Sequence, residues 1–160
     1  MTMRLAPSIG NFSYGGTAAI VTSMSLIVGF DAATASKATI LTGLLIVAIA
    51  DNLTDSLSMH MYQESERIVG GRAFLATLSN FATRLGMSLS FVALVLFLPA
   101  SAAVVTSIVW GLLLLSALTY LIARHSGRPP VPEIAKHLLT AIAVMPMSNA
   151  ISHLIVEWTQ

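Results

Sequence analysis

The chain has 160 residues, of which 56% are hydrophobic and 9% charged, and a formal net charge of +1. Ordinary soluble domains carry roughly 25% charged residues, so a mean hydropathy of +0.83 argues against a water-facing globular surface. A charge this close to zero gives no electrostatic footing for nucleic acid, and the absence of cysteine excludes disulfides and thiolate metal ligands.

Five stretches have the length and apolarity of a bilayer-crossing helix, which needs about 20 mostly apolar residues. They run at about 14–31, 38–61, 74–98, 101–124 and 135–157. Only short connections and an N-terminal tail remain, so residues 1–160 read as one integral membrane domain, all-α and polytopic. The first stretch lacks a basic leader and a small-residue cleavage site, and reads as a retained helix. Its Gly15-Gly16, with Ala18 and Ala19, forms a small-residue patch suited to close helix packing, including packing across a dimer. Asp31 and the small residues up to Ser36 make the first turn.

The second stretch carries the chemistry. It begins as an apolar run, yet holds Asp51 and Asp55 one helical turn apart, where an ionisable group costs several kcal/mol and commonly marks an ion or proton path. At 100° per residue, Asp51, Asp55, Ser58 and Tyr62 fall within about 60° of one another, with Asn52, Met59 and Glu66 alongside. Ile46, Ile49, Leu53 and Leu57 occupy the opposite side, suited to lipid or packing. Carboxylate oxygens suit Mn²⁺ or Fe²⁺, and a thioether favours softer metals over Mg²⁺ and Ca²⁺. Asp51, Asp55 and Met59 are therefore candidate metal ligands. The bland alternative pairs the acids with a neighbouring helix and leaves Met59 to packing. At the end of this helix, His60, Glu64 and Glu66 either collect cations at a cytoplasmic entrance or form a solvated helix end.

Gly70-Gly71 breaks the chain before the third stretch, where Asn80, Arg84 and Ser88 form a polar stripe. Arg84 and Asp51 both lie ten residues from the same membrane surface, a depth of roughly 15 Å at 1.5 Å per residue. An Asp51–Arg84 ion pair is expected, leaving Asp55 as the freer acid. Pro99 ends this helix. The fourth stretch, with Trp110 and Leu112 to Leu115, is apolar nearly all round and reads as lipid-facing scaffold. Residues 127–132 (GRPPVP) separate the fourth and fifth helices, because proline cannot continue a helix. Within the fifth, residues 145–149 (MPMSN) place a proline near the bilayer centre. Its freed carbonyl either bonds a neighbour's side chain or helps hold a cation beside Met145 and Asn149. His125, His137 and His153 are dispersed and lack metal-ligand spacing.

Arg4, Arg67, Arg72, Arg124, Arg128 and Lys136 fall on one side of these spans and Lys37 on the other. The positive-inside rule then puts the N-terminus in the cytoplasm and the C-terminus outside.

Residues 43–66 (GLLIVAIADNLTDSLSMHMYQESE) resemble helix two of the vacuolar iron transporter family, where a GLxGLIADALSM-type run leads to an acidic membrane end. Residues 14–29 (YGGTAAIVTSMSLIVG) resemble that family's first helix, of the FGLNDGLVSTLALVVG type. The likeness covers about a quarter of the chain. It implies a homodimer whose copies line a path for Fe²⁺ or Mn²⁺, moved out of the cytoplasm in exchange for protons, with no permanently bound cofactor. In the family, helix one supplies an acid from its NDG motif; that motif falls on Thr17-Ala18-Ala19, so this acid is absent. The family's SM falls on Thr54-Asp55 and its next acid on Met59, so acid and methionine have exchanged places. Asp51 aligns directly and Glu66 aligns with an acid at the membrane end. The family's long Glu-rich metal-collecting segment is reduced here to about a dozen residues.

The expected function is thus divalent-metal transport along helix two, with Asn52, Ser58, Tyr62, Asn80, Arg84, Met145 and Asn149 lining the path. The expected setting is the inner membrane of a prokaryotic cell. The alternatives are a proton-coupled carrier of another small solute, or a structural or regulatory membrane protein without transport. No nucleophile–base pair or cofactor fingerprint suggests an enzyme.

Overall fold

The computed structural model describes residues 9–65 and 70–159, all of them in five helices and their connections. The helices are α1 (Ile9–Ala32), α2 (Lys37–Ser65), α3 (Gly70–Phe97), α4 (Ala100–His125) and α5 (Pro130–Thr159). Each contains a segment long and apolar enough to cross a membrane. The helices extend beyond the apolar stretches at most ends, because a helix once nucleated adds further residues at little cost.

Two punctuation signals act differently from expectation. Residues 130–132 do not separate α4 from α5; α5 begins at Pro130 itself. The first turn of a helix has no use for its amide hydrogens, so proline is tolerated there and its fixed φ suits the start. Gly70-Gly71 likewise opens α3 rather than preceding it. Pro99 stands between α3 and α4, at φ −58° and ψ 149°, as expected of a stop. The turn after α4 closes with Gly127 at φ +66°, a conformation that favours glycine, while the Arg128 amide donates back to the Ala123 carbonyl at 2.9 Å.

The first helix is the hub. α1 packs on all four others, α2 leans mainly on α3, and α5 rests on α1 and α4. Ile20, Met24 and Ile27 of α1 meet Leu44 of α2, Phe91 of α3 and Leu115 of α4 in one apolar core. The small-residue patch on α1 is used inside the chain. A Cβ at Gly15 would meet Asn80 and sit 2.8 Å from Arg84 Cγ, and one at Gly16 would sit 2.8 Å from a Leu118 methyl.

The fourth helix is not simply lipid-facing scaffold. Ala103, Ser107, Gly111, Leu115, Leu118, Thr119 and Ala123 form a buried stripe along one side. Gly111 takes the Met24 thioether against its backbone. In α5, by contrast, Ala141 is the sole fully buried residue among those described.

Candidate functional site: an arginine between two carboxylates

The polar residues of α2 and α3 converge at the middle of both helices. Asp51 lies fourteen residues from each end of α2, and Arg84 stands fourteen from the start of α3. Arg84 is 3% exposed and its guanidinium spends three donors on α2. Its Nη2 donates to Asp51 Oδ2 at 2.5 Å and its Nη1 to Asp55 Oδ2 at 3.0 Å. Its Nε donates to Asn52 Oδ1 at 2.8 Å. The planar fork of arginine reaches three acceptors at once, which a lysine ammonium at the end of a flexible stem does not match in geometry.

The local sequence explains this convergence. Asp51 and Asp55 are one turn apart, so both carboxylates project from one side of α2 at adjacent levels. Asn52 is buried between them and the core, where its amide nitrogen donates to the Ala48 carbonyl and frees its oxygen for Arg84. On α3, Asn80 precedes Arg84 by one turn and donates to Asp55 Oδ2 at 3.4 Å. Gly15 on α1 gives Asn80 and the arginine stem room to pass.

The expected Asp51–Arg84 pair is present, but Asp55 is not the free acid: the same guanidinium holds both. Burial of Arg84 without these partners would cost several kcal/mol. Two carboxylates and one guanidinium leave a formal charge of −1 at the centre of the bundle. The acids differ in exposure, Asp55 being 24% and Asp51 50% exposed. One flank of the cluster is therefore uncovered within a single chain.

Around the cluster, the helix-two candidates separate by face. Ile46, Ile49, Leu53 and Leu57 are exposed, as expected for the outer side of α2. Ser58 and Tyr62 are exposed as well, with the Ser58 hydroxyl donating to the Thr54 carbonyl, while Met59 is half-buried. His60 contacts Glu64 at 3.4 Å and the Thr77 hydroxyl at 3.4 Å, so it belongs to the α2–α3 seam rather than to a group of metal ligands. A groove of about 360 Å³ follows that seam past Leu53, His60, Phe74 and Phe81, and neither acid lines it. Glu66 lies outside the described residues.

Two path-lining candidates sit elsewhere. Met145 packs against the apolar core and Asn149 is exposed on α5, which rests on α1 and α4 rather than on α2. α5 runs through Pro146 as a single helix. Among the described residues, no group of three or more His, Asp or Glu side chains is placed to hold a metal ion together.

Two contributors escaped the sequence reading. Gly15 acts as clearance for Arg84, and the only signal for it was a small residue at a matching depth. Lys37 reads as the lone outer cation, yet its ammonium caps α3 by donating to the Leu96 and Leu98 carbonyls at 2.9 and 3.0 Å. Carbonyls in the last turn of a helix lack intrahelical partners, and a cation there also meets the negative end of the helix dipole.

Among the described residues, the fold and site thus define an all-helical protein with five helices long and apolar enough to cross a membrane and a charged cluster halfway along two of them. No family model, no characterised protein and no solved structure matches the chain.

Proposed function

We propose that this protein carries a divalent transition-metal cation, Fe²⁺ or Mn²⁺, out of the cytoplasm in exchange for protons, with Asp51 and Asp55 as its cation-binding carboxylates. The observation that supports this most is the position of Asp51: a carboxylate halfway along a helix long and apolar enough to cross a membrane, with half of its side-chain surface uncovered. A pair that served only to fix the fold would gain nothing from leaving a charge open at that depth, where exposure to hydrocarbon is costly.

Arg84 is the resident counter-cation in this reading. It offsets one of the two carboxylate charges while no metal is bound and donates to both, so neither acid stands without a partner. An arriving divalent ion competes with the guanidinium for Asp51 and Asp55, and Met59, one turn beyond Asp55, adds a soft ligand. Protonation of either acid weakens its hold on the metal and favours release. A second copy of the chain is the natural cover for the open flank of Asp51, and a homodimer oriented N-in and C-out follows from the same reading.

A different reading is favoured by one feature, the 3% exposure of an arginine that already engages both acids. On that reading the cluster specifies how α2 docks on α3 and nothing is transported. Proteoliposomes separate the two. Uptake of Fe²⁺ or Mn²⁺ by the wild type, lost in Asp55→Asn, is the expected result. Proton flux without metal flux would transfer the role to another proton-coupled solute, and a folded wild type with neither flux would leave the structural reading.

A further inference from the structure

The strongest charged patch outside the cluster lies at the α4–α5 turn. Arg124 and His125 end α4, Arg128 follows the turn glycine, and all three are exposed. Lys136, in the second turn of α5, is 68% exposed. The acid described among them is Glu133, which accepts from Lys136 at 3.1 Å. Three permanent cations against one carboxylate leave a formal +2 on this short hairpin.

Its geometry is fixed rather than loose. The Ser126 amide bonds the Ile122 carbonyl at 2.9 Å and the Arg128 amide bonds the Ala123 carbonyl at 2.9 Å, so Arg128 is folded back beside the end of α4. Just inside the turn, the buried Thr119 hydroxyl meets His137 Nδ1 at 3.0 Å and ties α5 to α4. In the sequence, the α2–α3 connection at the same end sets Arg67 and Arg72 against Glu64 and Glu66, a formal charge of zero. Of the two connections, the α4–α5 hairpin is the one with a net positive charge.

We infer that the α4–α5 hairpin binds the phosphate headgroup of an anionic phospholipid through Arg124, Arg128 and Lys136. The inference rests on α4 and α5 being membrane spans and is independent of what the Asp51–Arg84 cluster carries. The cations stand at the end of α4, in the turn after it and at the start of α5, and α4 is the most apolar of the five helices with a mean hydropathy of 2.1. That is the level at which headgroup phosphates lie, and each Lys or Arg at an anionic surface contributes about fivefold in binding. Lipid held there has structural work to do. α5 buries only Ala141 among its described residues, so a headgroup bridging Arg124 and Arg128 to Lys136 adds a polar tie to a helix held mainly by partly covered side chains.

The test compares the purified full chain in nanodiscs of phosphatidylcholine alone and of phosphatidylcholine with phosphatidylglycerol. Retained lipid is read by native mass spectrometry and the unfolding midpoint by a thermal ramp. The wild type is expected to retain phosphatidylglycerol selectively and to unfold at higher temperature with it. The triple variant Arg124→Gln, Arg128→Gln, Lys136→Gln is expected to lose both effects, and Glu133→Gln, which removes the opposing charge, to retain more of the lipid. Equal retention of the two lipids overturns the inference, as does undiminished retention in the triple variant. Should that variant fail to fold, Glu133→Gln decides, and unchanged or lower retention then overturns it. Displacement of phosphatidylglycerol by inorganic phosphate at equal concentration would assign the site to a free anion and overturn the lipid reading.

Discussion

The α2–α3 and α4–α5 pairs solve the same packing problem by different means. α2 and α3 are joined by directed polar contacts at three levels: Lys37 on the α3 carbonyls, Arg84 on Asp51, Asn52 and Asp55, and His60 on Thr77. α4 and α5 are joined by one described polar contact, Thr119 to His137, and otherwise by shape. In hydrocarbon no hydrophobic force holds two apolar helices together, so association relies on close packing and on hydrogen bonds. A directed contact also sets axial register and rotation, which shape alone sets weakly. The fixed pair is the one that holds the charged cluster.

The sharpest way to break this contrast is Arg84→Met. It leaves Asp51 and Asp55 without their counter-charge, and a loss of about 3–5 kcal/mol is expected, read as the shift in denaturant unfolding in detergent. Neutralising the acids as well, with Asp51→Asn and Asp55→Asn, should return much of that loss. No recovery would mean that Arg84 acts through packing rather than charge.

Gly15→Val comes next. Its side chain would displace Asn80 and the stem of Arg84, and overpacking of this kind costs typically about 1–3 kcal/mol. The diagnostic outcome is a loss in the wild-type background that shrinks when Arg84 is already replaced, since the two changes strike one cluster. The smallest effect is expected on the other side of the comparison. Thr119→Val removes one hydrogen bond to His137 and should cost about 1 kcal/mol by the same measurement. A loss as large as that of Arg84→Met would show that the α4–α5 pair depends on polar contacts as heavily as α2–α3.

Much of the cluster was legible in the residues. Asp51 and Asp55 announce themselves as acids in an apolar run, and Arg84 is the basic residue at matching depth, so their pairing follows from counting along two antiparallel helices. The sharing of Arg84 between both acids did not follow, because it depends on how far α3 is rotated toward α2. The same gap affected Met145 and Asn149. Their depth suits a path through the bundle, but α5 stands against α1 and α4, and Asn149 faces outward.

The sequence by itself determined the five described helices, their approximate spans and the level along them at which Asp51, Asp55 and Arg84 stand. Hydrophobic length and a rise of 1.5 Å per residue are properties of one helix at a time. The tertiary structure alone decided which helix neighbours which, which side of each turns inward, and that Gly15 makes room for Arg84 to reach three acceptors. Those outcomes depend on the relative rotation of several helices, set by the joint fit of side chains from all of them.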